Sequence, residues 1–142
     1  TLPAPLAELP LLVRAGAVIP LLASDVDTLA PYRGAGVARL ADRLGQMQLL
    51  AFPRARSNAG MGARPERLRS VEEDHAWRLT IRGKRARRYS LQASLATLRR
   101  PFAPRSLALD GRPLPRGSWS YDRRTKVLRA GFRLRSGTLV VH

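Results

Sequence analysis

Apolar and polar residues alternate along most of the second half of the chain, and this pattern restricts the fold more than any other feature. Every second residue is apolar over residues 77–82, and the same period recurs over residues 89–95 and 128–134. Successive side chains of a β-strand point to opposite faces, so one face of each segment is expected to be buried. Several short strands of this kind at close spacing predict an antiparallel β-sandwich.

Turn-forming residues separate these strands. Asp110-Gly111 lies between two short extended segments and predicts a type I′ hairpin turn. Gly83-Lys84 and Ser136-Gly137 are expected to form two further turns. Pro113, just after the hairpin, favours an edge strand because proline cannot donate to a neighbouring strand. Six short strands are therefore expected in this part of the chain.

The apolar run LPLLVRAGAVIPLL, Leu9 to Leu22, contains one charged residue, Arg14, and two prolines. It is shorter than the about 20 apolar residues of a membrane span and has a cation near its centre. The residues before it include no basic residue, unlike a secretory signal. The prolines and Gly16 disfavour a helix, so we expect two strand segments around a bend at Gly16 and no association with a membrane.

The rest of the chain completes an all-β prediction. Helical spacing predicts at most one short helix near residues 37–44, and an apolar segment over residues 46–52 predicts a buried strand. Few large apolar residues lie between residues 54 and 75, which predicts a loop or linker. The expected parts are a proximal β-domain over 1–53, incomplete alone, the linker over 54–75, and a distal β-sandwich over 76–142.

The chain has a formal net charge of +16, which a nucleic-acid-binding protein would also carry. Alternation nevertheless places arginines on the outward faces of the strands, where their stems cover apolar surface and their guanidinium groups stay in water. We therefore expect no specific nucleic-acid partner. The alternative is a small Arg-rich β-domain that binds RNA or single-stranded DNA, which requires arginines and aromatic residues on the same face.

Few residues are suited to catalysis or metal binding. The chain has no cysteine, and its two histidines, His75 and His142, lie far apart. The acidic cluster Glu72, Glu73 and Asp74 is contiguous, so neighbouring carboxylates point to opposite sides and do not flank one bond. The sequence predicts no catalytic residue, no metal ligand and no cofactor.

Trp77, Trp119 and Tyr121 raise a second alternative, a stand-alone carbohydrate-binding module. These rings would form a platform for sugar stacking only if they were exposed. Their alternation with polar residues favours packing in the core instead.

Two segments resemble glycoside hydrolase family 31, which includes α-glucosidases and α-xylosidases. LPLLVRAGAVIPL, Leu9 to Leu21, is similar to the segment that follows the catalytic barrel, and Arg14 and Gly16 match its bend. LDGRPLPRGSWSYDRRTKVL, Leu109 to Leu128, resembles the far C-terminal β-domain of that family. The structural motif residues of this segment are Asp110 and Gly111 of the turn and Trp119 and Tyr121 of the aromatic strand, whereas only Arg14 and Gly16 match family residues by position.

The resemblance implies a non-catalytic role. The family's two catalytic carboxyl groups, about 5 Å apart in a retaining glycosidase, belong to a barrel that this sequence does not contain. The Tyr-x-Asp-Asp-Gly-like stretch of many members is also missing. The resemblance therefore implies a C-terminal region that supports a catalytic barrel in cis or in trans. Without that barrel, the run over residues 9–22 is expected to favour self-association.

Overall fold

The computed structural model describes residues 12–26, 38–62 and 65–142. Leu9 to Leu11 of the apolar run, and Val37 of the expected helix, lie outside the described residues. The strands are β1 (Val18–Leu21), β2 (Gln46–Ala51), β3 (Arg56–Gly60), β4 (Arg67–Glu73), β5 (Ala76–Ser94), β6 (Leu107–Leu109), β7 (Arg112–Pro113), β8 (Trp119–Asp122) and β9 (Val127–Val141). Three short 3₁₀ helices span Leu40–Arg43, Leu95–Thr97 and Arg116–Ser118.

The all-β prediction is confirmed. The helix expected near residues 37–44 is the single-turn 3₁₀ helix Leu40–Arg43. The nine strands form one hydrogen-bonded sheet. β2 pairs with β5 in parallel, whereas the other strand pairs are antiparallel. The sheet is therefore mixed, and the expectation of wholly antiparallel strands is wrong at this one pairing.

Two long strands, β5 and β9, replace the shorter strands that the sequence predicted. The expected turns at Gly83-Lys84 and Ser136-Gly137 both lie inside continuous strands. These two sites lie beside each other on the paired strands β5 and β9. Arg82 pairs with Ser136 there, but the next paired residue, Arg87, pairs with Leu134. Four residues of β5 thus face one residue of β9, which is a β-bulge. The turn-forming residues mark an irregularity in paired strands rather than chain reversals.

The bulge divides the sheet into two sides. The β4 side contains β3, β4, residues 76–82 of β5, residues 136–141 of β9, β6 and β7. The β2 side contains β1, β2, residues 87–94 of β5, residues 127–134 of β9 and β8. A single buried cluster takes side chains from both, including Leu68 and Trp77 from the first and Leu49 and Tyr89 from the second. The predicted inward residues of β5 and β9 are confirmed as core, except Leu134, which is half-buried and packs against it.

The segment expected to be a loop or linker, residues 54–75, contains β3 and β4. β4 escaped prediction because its inward positions include only one large apolar residue, Leu68, followed by Ser70, which is also buried. Among the described strands β3 pairs with β4 alone, so its other edge is unpaired, and its side chains are small or polar. The pairing of β2 with β5 joins residues before and after this segment in the same sheet.

The described part of the apolar run contains one strand, not two. Residues 12–17 form no strand, and β1 begins at Val18, after the bend. β1 lies at the edge of the sheet, paired on one side with β2. Pro20 is compatible with this position because an edge strand leaves alternate backbone groups unpaired.

Candidate functional site

The bend before β1 is held by backbone geometry around Gly16. Gly16 has a φ of +98°, a value that residues with a Cβ rarely adopt. Its N–H donates to the carbonyl of Phe52 over 2.6 Å, and its own carbonyl accepts from the hydroxyl of Ser57. A Cβ at this position would lie 3.1 Å from the carbonyl oxygen of Arg54. Glycine is therefore needed for the chain to pass close to the β2–β3 connection.

Arg14, which also lies in the bend segment, is exposed. Its backbone carbonyl accepts a hydrogen bond of 3.1 Å from Ala17, which closes the turn. The guanidinium group does not enter the core. The sequence therefore correctly located the bend, and the structure assigns its conformation to Gly16.

Five leucines leave much of their surface in water, and we call them the leucine surface: Leu12, Leu21, Leu22, Leu40 and Leu44. Leu12 is 77% exposed and Leu40 is 49% exposed. Across residues 12–26, 38–62 and 65–142, these are the exposed large hydrophobic side chains, and all of them precede β2. The large apolar residues that face inward from β5 and β9 are enclosed.

Two contacts bring the segments that carry four of these leucines together. The guanidinium of Arg43 binds the carboxylate of Asp25 over 2.6 Å, and this hydrogen bond lowers the pKa of Asp25 below its ordinary value. A parallel bridge joins Val26 to Ala38. The chain that leaves β1, with Leu21 and Leu22, is thereby tethered to the 3₁₀ helix between Leu40 and Leu44.

The arrangement is suited to contact with another apolar surface. Full burial of a leucine side chain contributes about 1.5–3 kcal/mol, and four of these leucines lie on segments that are joined to each other. The run over residues 9–22 pointed to part of this surface. The sequence did not identify Leu40 and Leu44 as exposed. Their helical spacing was a usable signal, because no second helix was predicted that could cover them.

The distal motif residues have structural roles. Asp110 and Gly111 connect β6 to β7 with φ values of +49° and +79°, which confirms the predicted type I′ turn. The Asp110 carboxylate accepts a hydrogen bond of 2.7 Å from the backbone N–H of Thr138. Pro113 is on β7, at the edge of the sheet, as predicted.

The three aromatic residues proposed for sugar stacking do not form an exposed platform. Trp77 is fully buried, and its indole N–H donates to the Ser70 hydroxyl over 2.8 Å. Trp119 and Tyr121 are half-buried and pack against the core. Arg78 takes the outward position next to Trp77 on β5, and Arg129 of β9 pairs with Ser120, the outward residue between Trp119 and Tyr121. Aromatic and basic side chains therefore occupy opposite faces.

The acidic cluster does not bring two carboxylates to one site. Glu72 accepts hydrogen bonds from the backbone N–H groups of Ala55, at 2.7 Å, and Arg99, at 2.5 Å. Glu73 binds Arg78 instead, and this hydrogen-bonded pairing lowers the pKa of Glu73. The cluster therefore connects three separate segments and leaves no pair of carboxylates facing one bond.

A buried ion pair was not predicted. Glu66 and Arg87 bind each other inside the sheet at the bulge. Nothing in the local sequence distinguishes Arg87 from the outward arginines around it, because the bulge itself changes which side chains point inward.

Within the part of the chain that the structure describes, no group of three or more histidine, aspartate or glutamate side chains is placed to hold a metal ion. Among the same residues, no helix has the length and apolar character required to cross a membrane. Comparison with protein-family models and with curated proteins finds no match for this chain.

Proposed function

We propose that this chain is the non-catalytic C-terminal β region of an α-glycosidase of the family 31 type, and that it supports a catalytic barrel. The leucine surface is the observation that carries the proposal. Leu12 precedes, and Leu21 and Leu22 follow, a bend whose sequence resembles the segment that follows the barrel in that family. The rest of the sheet encloses its own core, so the exposed leucines are free to pack against a barrel.

The proposal assigns no catalytic residue to this chain. The carboxylates of Glu66, Glu72 and Glu73 are each engaged with arginines or backbone amides. We expect the purified chain to show no turnover of aryl α-glucosides or α-xylosides above a heat-treated control. Turnover that disappears when an acidic residue is replaced would contradict the proposal.

The direct test starts from the coding DNA upstream of this sequence, which we expect to encode a catalytic barrel. Co-expression of that barrel with this chain should give a stable complex with α-glycosidase activity. The double variant Leu21→Ser/Leu22→Ser should weaken the complex, whereas Arg88→Gln/Arg133→Gln, on the outer face of β5 and β9, should leave it intact. An unrelated upstream sequence, or a complex that resists the leucine substitutions, would contradict the proposal.

A further inference from the structure

The outer face of β3, β4 and the start of β5 carries a concentration of arginines around a shallow depression of about 480 Å³. We call the basic and polar residues that line it the arginine face: Arg56, Asn58, Arg67, Arg69, Arg78, Thr80 and Arg82. The arginines come from three adjacent strands, and all of them point away from the core.

Most of this positive charge has no acidic partner among the residues that the structure describes. Glu73 is the one carboxylate among the described lining residues, and it binds Arg78 through two hydrogen bonds of 3.0 and 3.1 Å. The other four arginines form no ion pair with any described residue. Arg67 and Arg82 are directly opposite each other on β4 and β5, an arrangement that destabilises a sheet unless the charge is compensated.

The dimensions of the patch point to a compact ligand. Neighbouring strands are about 4.8 Å apart and each residue advances the strand by about 3.3 Å. Three strands, and the four residue steps from Arg78 to Arg82, therefore define an area of about 10 by 13 Å. Guanidinium forks bind phosphate oxygens in pairs, and Asn58 and Thr80 add neutral donors.

We propose that the arginine face binds a compact oligophosphate, a small ligand with several phosphate groups. Phosphate is favoured over carboxylate because a terminal phosphate carries about −1.5 to −2 charges, so a short ligand with two terminal phosphates can neutralise four arginines. A nucleic-acid strand is disfavoured because no aromatic residue lines the depression to stack on a base. This inference does not depend on the proposed glycosidase role.

Calorimetric titration of the full chain with tripolyphosphate in about 150 mM salt tests the proposal. We expect saturable binding of one ligand per chain. Arg67→Gln/Arg82→Gln should weaken it at least about tenfold, and Arg67→Lys/Arg82→Lys, which keeps the charge but removes the forks, should weaken it less. Arg69→Gln provides a second variant on the same face, and thermal melting checks that every variant is folded.

The matched control is Arg88→Gln/Arg133→Gln. These arginines are also directly opposite each other, on β5 and β9, but they do not line the depression. This control should change the affinity less than about threefold. Equal losses of affinity in Arg67→Gln/Arg82→Gln and in Arg88→Gln/Arg133→Gln would show that binding depends on net charge alone. That result would overturn the proposal. Tighter binding of duplex DNA or of a sulfated oligosaccharide than of tripolyphosphate would also overturn it.

Discussion

Glu66 and Arg87 form a bidentate ion pair inside the sheet, with N–O distances of 2.7 and 2.9 Å. Glu66 also accepts a hydrogen bond of 2.7 Å from the backbone N–H of Lys84, within the bulge. The side chains are only 4% and 9% exposed, respectively. One carboxylate therefore joins the turn before β4 to the irregular segment of β5, where the two sides of the sheet meet.

Replacing one member of this ion pair should destabilise the folded protein, because the other member is left charged and buried. We expect Glu66→Gln to lower the free energy of unfolding by about 3–5 kcal/mol. Replacing both residues, with Glu66→Met/Arg87→Met, should recover most of that loss. Urea denaturation of the three proteins measures both effects. A cost below about 1 kcal/mol for Glu66→Gln would contradict the buried pairing.

The same pair predicts a pH dependence. The hydrogen bonds from Arg87 lower the pKa of Glu66, an effect that outweighs the opposing effect of burial. A carboxyl whose pKa is lower in the folded state stabilises the protein above its unfolded pKa, about 4.3, and loses that contribution as the pH falls through the folded value. The urea midpoint of the wild type should therefore fall more steeply below about pH 4.3 than that of Glu66→Gln. Parallel curves for the two proteins would contradict this assignment.

Gly16 provides a test of the bend. Gly16→Ala places a Cβ in a left-handed conformation and close to the Arg54 carbonyl, so we expect a loss of about 1–2 kcal/mol in thermal or chemical unfolding. Gly45→Ala is the control, because a Cβ there meets no atom within 4 Å. Equal stability of the two variants would show that the bend does not depend on glycine.

The β6–β7 turn provides a separate test. Asp110→Ala removes both the residue type that tolerates a positive φ and the hydrogen bond to Thr138, and we expect a cost of about 1–2 kcal/mol. Asp110→Asn keeps both features and should cost about half as much or less. If both substitutions prove neutral in thermal melts, the turn does not contribute to stability as described.

The sequence predicted the parts of the fold that depend on local patterns. Alternation identified the inward side chains of β5 and β9, and the Asp110-Gly111 pair identified its turn. The bulge was missed because Gly83-Lys84 is compatible with either a turn or an irregular strand, and only pairing with β9 decides between them. The parallel pairing of β2 with β5 was missed for the same reason.

The candidate interaction surface was only partly predictable. The composition of the apolar run showed that residues 9–22 hold more hydrophobic side chains than a short segment encloses. The 3₁₀ helix between Leu40 and Leu44 is joined to the chain after β1 by the Asp25–Arg43 contact, between residues 18 positions apart. Burial of Glu66 depends on the geometry of the bulge. Such features follow from tertiary structure, which local spacing does not specify.

The proposed role requires the leucine surface to be a contact surface rather than part of the core. Sedimentation velocity and binding of a hydrophobic dye measure this in the isolated chain. We expect the wild type to self-associate and bind the dye, and Leu22→Ser/Leu40→Ser to reduce both with a stability change within about 0.5 kcal/mol per residue. Leu91→Ser, at a position 1% exposed, should instead destabilise the sheet by about 3 kcal/mol or more. A wild-type chain that is a monodisperse monomer and binds no dye, with Leu22→Ser/Leu40→Ser as destabilising as Leu91→Ser, would contradict the account.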